Sequence, residues 1–173
     1  MLAGGHLAGG TMTELASRRR VALAAFNQGA AMGPALFAIE NAGFDASQLG
    51  IAAREASFAV LECQYRCGCF ATRIAAHLVS GSSSLGSNVR PEPIRISGGT
   101  FWPSLSCFNT DPDGPLVIAT WMPARLRDEI EELIFKGAVL LGIGAQSPEQ
   151  QRNATQILLV HSSHRVHTVD FRH

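Results

Sequence analysis

The last third of the chain carries the most restrictive pattern. Ala138–Ile143 (AVLLGI) is an unbroken apolar run of strand length, bounded by Gly137 and by Ser147-Pro148-Glu149-Gln150. A strand apolar on both faces is buried on both faces, so this run belongs in the interior of a covered sheet. Ser, Pro and Gln at N-cap, N1 and N3 are a helix-start signature. Ala154, Ile157 and Leu158 give the following helix one buried stripe, and Arg165–Phe171 (RVHTVDF) alternates as a strand does, with Val166, Thr168 and Asp170 on one face. Upstream, Pro123 opens a helix whose apolar stripe is Leu126, Ile130, Leu133 and Ile134. Its other faces carry Arg125, Arg127, Asp128, Glu129, Glu131 and Glu132, a solvated surface, and Gly137 ends it. The chain therefore ends helix-β-α-β.

The N-terminal part repeats the logic. Arg20–Phe26 reads as a buried strand, and Asn27 is placed to cap the next helix. Met32, Leu36 and Ile39 recur at helical spacing. Pro34 is compatible only with a first turn, which sets the helix start near Gly33. Ala42-Gly43-Phe44 supplies a left-handed stop and an apolar residue to pack back on the last turn. Gln48–Ala53 is a second strand. Two β-α-β units separated by other chain predict an α+β fold, a ferredoxin-like βαβ-(insertion)-βαβ sandwich with a helical and loop insertion.

The insertion spans 54–122. Arg54–Val79 is helical in character, Ser80–Asn88 is a Ser/Gly linker, Pro93–Gly98 and Leu116–Trp121 are short strand candidates, and Thr100–Pro115 is loop. Residues 1–19, Gly- and Ala-rich at the start, read as a flexible tail, which leaves 20–173 as one domain. Fourteen Lys+Arg against fourteen Asp+Glu remove the basic footprint of a nucleic-acid binder. No stretch reaches the length and apolarity of a membrane span, since Ser57–Val79 carries Glu62, Arg66 and Arg73. No basic n-region precedes an apolar core at the start, so the expected compartment is the cytoplasm and the four cysteines are expected as reduced thiols.

With these elements in place, residues 22–54 (ALAAFNQGAAMGPALFAIENAGFDASQLGIAAR) resemble the opening of the bacterial general stress protein 17M-type family. Residues 126–171 resemble its closing helix-strand-helix-strand part. The two stretches cover about half of the chain. The resemblance implies the fold, a bacterial cytoplasmic setting and a stress-associated role. It carries no catalytic residue set. The middle departs from the family's Gly/Ala-rich hairpin, holding Cys63, Cys67, Cys69 and the Trp102 loop.

Several groups of residues could carry chemistry. Cys63-x3-Cys67-x-Cys69 places thiols that suit a soft transition metal or redox chemistry. On a helix Cys63 and Cys67 share a face, while Cys69 joins them only if the helix breaks at Gly68; a fourth ligand would come from Cys107 or His77. The competing reading is that these are small buried side chains and that no cofactor is held. His161, His164 and His167 lie at the end of a helix, in a turn and in a strand, so they are expected to point apart. Gly137-Ala-Val-Leu-Leu-Gly142-Ile-Gly144 lacks the strand-then-helix order of a dinucleotide fingerprint. The Ser147 helix start is an anion-binding candidate at most. Ser104 and Ser106 have no evident His and acid partners.

The resulting expectation is a non-enzymatic accessory protein that forms homo-oligomers or docks on a larger assembly. Its contact surface is placed at Phe58, Leu61, Tyr65, Ile74 and Leu78, on the apolar face of the insertion helix, and at Phe101 and Trp102. The alternatives are a metal or redox module at the cysteines, and a ligand-binding protein or enzyme with a pocket lined by His77, Trp102 and Trp121.

Overall fold

Two of the apolar runs become neighbours at the centre of one sheet. A computed structural model describes residues 18–68, 72–81, 83–85, 94–98 and 122–172. Strand β1 (Arg18–Phe26) leads to helix α1 (Gly29–Asn41), a short 3-10 turn (Ala46–Gln48) and strand β2 (Leu49–Arg54). Helices α2 (Glu55–Arg66) and α3 (Arg73–Ser80) and strands β3 (Ser83–Leu85) and β4 (Ile94–Ser97) come next. Helix α4 (Ala124–Phe135), strand β5 (Val139–Ala145), helix α5 (Pro148–His161) and strand β6 (His167–Arg172) complete the order.

The protein is α+β. Its sheet has six strands in the order β3-β4-β2-β5-β1-β6, and every neighbouring pair is antiparallel. This differs in count and order from the four-strand sheet expected of the two βαβ units: β3, within the expected linker, and β4, at the Pro93–Gly98 strand candidate, extend the sheet beyond β2. β1 pairs Leu23 with Gly142 of β5 on one side and with His167 of β6 on the other. β5 thus lies between the two strands of the first βαβ unit, and β1 between those of the second. β5 is buried on both faces, as its composition requires.

Different helices cover the two faces of the sheet. Ala22, Ala24, Phe26, Ile51, Leu141 and Ile143 face a core built with α1, α2, α3 and α5. Val21, Leu23, Ala52, Leu140, Ile94 and Ile96 face a second core with Ile130 and Ile134 of α4. The second face is therefore covered by α4, while the Arg54–Val79 segment packs on the first. The reason lies in side-chain volume: α2 and α3 place Phe58, Leu61, Ile74 and Leu78 on one side, and these complete the layer begun by α1.

Most local signals are met. Gly43 (φ 81°) and Gly137 (φ 95°) sit past α1 and α4 in left-handed conformations. Phe44 N–H donates to the Ile39 carbonyl at 3.3 Å, and Ala138 N–H to that of Leu133 at 3.0 Å, which closes both helix ends. Ser147 Oγ accepts from Gln150 N–H at 3.1 Å. The start of α1 differs: it begins at Gly29, Pro34 lies inside it, and Gln28 caps it without a side-chain bond. Asn27 is used elsewhere, its Oδ1 meeting His164 Nε2 and its N–H donating to Ser163 Oγ at 3.4 Å. The Arg54–Val79 stretch breaks after Arg66, at Gly68 (φ 74°). Part of the expected Ser/Gly linker is strand β3, which gains backbone partners from Ile94–Ile96 of β4. Leu116–Trp121 and Thr100–Pro115 lie outside the described residues.

Candidate functional site

Helix α2 has three distinct sides. Phe58 and Leu61 point inward and are fully buried, with Tyr65 packed beside them. Glu55 and Glu62 form a flank, two helical turns apart on one side. Arg95 of β4 answers it, with Nη1 at 3.2 Å from Glu55 Oε1 and Nη2 at 3.2 Å from Glu62 Oε1. Its guanidinium stands over the Phe58 ring, 4.5 Å from the centroid. Alternation along Ile94-Arg95-Ile96 turns Arg95 to the α2 face, because its neighbours join the opposite core. Sequence reasoning misses this clamp; its signal is an Arg between two Ile, opposite a helix with two carboxylates on one flank.

The third side of α2 faces solvent. Ala56, Ala59, Val60, Cys63, Arg66 and Cys67 are all exposed, and Arg66 is the charged residue among them. Cys67 N–H donates to the Cys63 carbonyl at 2.9 Å, so the two cysteines stand one helical turn apart on one face. Both are exposed thiols. The reading of them as buried small side chains is thereby overturned for this pair. Cys69 and Cys107 lie outside the described residues. Among the described residues no group of three His, Cys, Asp or Glu could hold one metal ion.

The expected contact face is taken up inside the chain. Phe58, Leu61, Ile74 and Leu78 are buried in the first core, and Tyr65 packs against it. Phe101, Trp102 and Trp121 lie outside the described residues, and His77 is exposed on α3. Among the described residues the exposed large apolar side chains are instead Phe37, Val60, Phe135, Leu159 and Val160. Leu159 is 62% and Val160 77% exposed, side by side near the end of α5.

The histidines part as expected. His164 meets Asn27, while His167 Nε2 stands 3.6 Å from Glu129 Oε1, tying β6 to α4. At the start of α5 an open depression of about 720 Å³ is lined by Gln146, Ser147, Glu149, Gln150, Arg152, Asn153 and Gln156. Gln146, Ser147 and Gln150 are engaged with one another or with Gln48. Gln150 Oε1 accepts from Gln146 N–H at 2.7 Å and from Gln48 Nε2 at 3.3 Å, and Gln48 Nε2 also donates to the Gly144 carbonyl at 3.0 Å. The Gln48 bonds tie the start of α5 to the first βαβ unit. Gly142 lies within β5, opposite Gly50, with no helix following it directly.

Glu40 shows the clearest electrostatic effect. Arg73 Nε donates to Glu40 Oε1 at 2.9 Å and Arg73 N–H to Oε2 at 3.1 Å, and these bonds hold the carboxyl below its ordinary value. The pair links α1 to the first residue of α3. Comparisons with family models, with curated proteins and with solved structures found no match. No helix among the described residues is long and apolar enough to cross a membrane.

Proposed function

We propose that this is a non-enzymatic, stress-associated accessory protein that works by self-association or by docking on a larger assembly. We read β1-α1-β2 and β5-α5-β6 as a ferredoxin-like sandwich of the general stress protein 17M type, in a bacterial cytoplasm. The split pairing of β1, β2, β5 and β6 supports that reading.

One observation carries the functional part: Leu159 and Val160, adjacent on α5, leave their side chains largely in solvent. Scattered apolar residues are ordinary on a surface, but two neighbouring ones this exposed fit a contact. Among the described residues β6 pairs only with β1, so its outer edge offers backbone groups to a partner strand. The partner is a second copy of the chain or an apolar surface of an assembly.

Light scattering after size exclusion tests the self-association arm, with pull-down from a bacterial lysate for the docking arm. Leu159→Lys with Val160→Lys is expected to shift the oligomer toward monomer, or to lose the captured partner, while the melting curve stays. A monomer that captures nothing overturns the reading.

A second reading makes the chain a soft-metal or redox module, and the shared exposed face of Cys63 and Cys67 favours it.

A further inference from the structure

We infer that two copies of this chain pair their β6 strands edge to edge, antiparallel, about a two-fold axis at Val169, with Arg152 of each copy beside Asp170 of the other. The inference rests on the self-association reading and gives it a surface and a register. Three observations converge.

The first is the edge. The sheet ends in β3 on one side and β6 on the other. β3 is three residues long, and a short edge strand resists further pairing. β6 is six residues long, HTVDFR, with no Pro, Gly or Lys to blunt it. Among the described residues it pairs only with β1, so the backbone groups on its other side are left for a further strand.

The second is self-complementarity. Residues directly opposite each other in an antiparallel pair point to one face of the sheet. A two-fold axis through one residue of β6, perpendicular to the sheet, meets this condition, because it sets opposite each other the positions equally far before and after that residue. Thr168 and Asp170 lie on the α5 face: Thr168 lines a depression with α5, and Asp170 Oδ1 accepts from Gln151 Nε2 at 2.9 Å. Val169 lies on the other face, packed against the second core. With the axis at Val169, two β-branched side chains meet, and Thr168 stands opposite the partner's Asp170. An axis at Asp170 would set two carboxylates against each other, which destabilises a pair.

The third is charge. The depression between α5 and β6 has a volume of about 280 Å³ and is lined by Gln151, Arg152, Thr155, Gln156 and Thr168. Arg152 is the charged residue of that lining; it is exposed and has no ion pair among the described residues. Asp170 is half exposed, and the nearest cation of its own chain, Arg20, stands 3.9 Å away. The partner's Asp170, opposite Thr168, comes to the rim of the depression that Arg152 lines. This ion pair forms twice, once on each side of the axis. An axis at Thr168 would put Asp170 opposite Val166 instead and leave Arg152 without it. Leu159 stands one turn beyond Thr155 on α5, so it continues the row that faces the partner.

The test is sedimentation equilibrium of the reduced full-length chain, which gives the dimer dissociation constant for the parent, Arg152→Glu, Asp170→Arg and the variant carrying both. Each single reversal brings like charges together across the axis and is expected to weaken the dimer by more than about 10-fold, while the double reversal restores opposite charges and should return to within about 3-fold of the parent. Arg152→Glu removes no ion pair within the described part of the chain, so its melting curve should match the parent's, which separates a lost contact from a lost fold. A parent dimer unmoved by either single reversal, or single losses that the double reversal fails to recover, overturns this pairing and leaves self-association standing. A parent that stays monomeric overturns the pairing and self-association together, whether its β6 amides exchange fast with solvent or, held by another segment of the same chain, slowly.

Discussion

Replacing Phe58 with alanine asks whether the apolar face of α2 belongs to the chain's own core or to a contact between chains. The ring is fully buried within the first core and lies beneath the Arg95 guanidinium. Phe→Ala at such a site costs about 3–5 kcal/mol, from lost burial plus the cavity left behind. Loss of the cation over the ring adds about 0.5–1 kcal/mol, since Arg95 remains partly hydrated. A total near 4 kcal/mol, with a urea dependence of about 2 kcal/mol per molar, lowers the unfolding midpoint by about 2 M. Urea titration followed by circular dichroism, at two widely separated protein concentrations, measures this. The drop should be the same at both concentrations, because the packing is within one chain. Val60→Ala, on the exposed side of the same helix, should change stability by less than about 0.5 kcal/mol. A Phe58→Ala midpoint that matches the parent, or a loss that disappears at high concentration, refutes packing of this face within the chain.

Three further outcomes rest on local geometry. Gly98 has φ 127°, and a Cβ there would stand 2.4 Å from the Leu49 carbonyl oxygen and 2.5 Å from Gly50 Cα; Gly98→Ala should cost at least about 2 kcal/mol in urea melts, and a loss under about 0.5 kcal/mol contradicts the close approach. Arg95→Met keeps the apolar stem but leaves Glu55 and Glu62 without their cation, so the variant should lose about 1–2 kcal/mol at low salt and part of that gap should close at high salt; a gap indifferent to salt counts against the ion pairs. Glu40 has its pKa lowered by Arg73, so its stabilising contribution is fully present above the unfolded value of 4.5 and fades as pH falls through the lower folded value; the difference in melting temperature between parent and Glu40→Gln should be level at neutral pH and shrink in that acid range, and a difference that grows with acid reverses the assignment.

The parts of the fold legible in the sequence are those set by local chemistry. Gly43 and Gly137 end helices because only a left-handed residue lets the next amide reach back to the last turn, and that requirement is visible in a run of about four letters. β5 announces itself because a strand with no polar position has nowhere to be except between two covered faces. The features hidden in the sequence depend on partners distant along the chain. Asn27 looks like a cap, yet its amide is engaged by the turn at Ser163 and His164, residues that only the sheet brings near. β3 looks like a linker because Ser and Gly carry little strand preference, and it becomes a strand because β4 supplies the backbone partners. The face covered by α4 escapes the sequence for a related reason. An amphipathic stripe says that a helix packs, but not on which side of a sheet it does so.

The same distinction governs the candidate sites. Cysteine spacing along α2 reveals a shared face at once, since four residues are about one turn, but only tertiary packing decides whether that face is inside or outside. Phe58, Leu61 and Tyr65 are bulkier than Cys63 and Cys67, and they claim the inner side of α2. Arg95 then draws Glu55 and Glu62 to one flank. The thiols are left on the remaining exposed arc, with Ala56, Ala59, Val60 and Arg66. Exposure of Cys63 and Cys67 is thus a consequence of where the large side chains and the clamp must go. Substitutions that preserve Phe58 and Arg95 should therefore preserve the exposure of Cys63, while Phe58→Ala should change the rate of Cys63 alkylation and stability together.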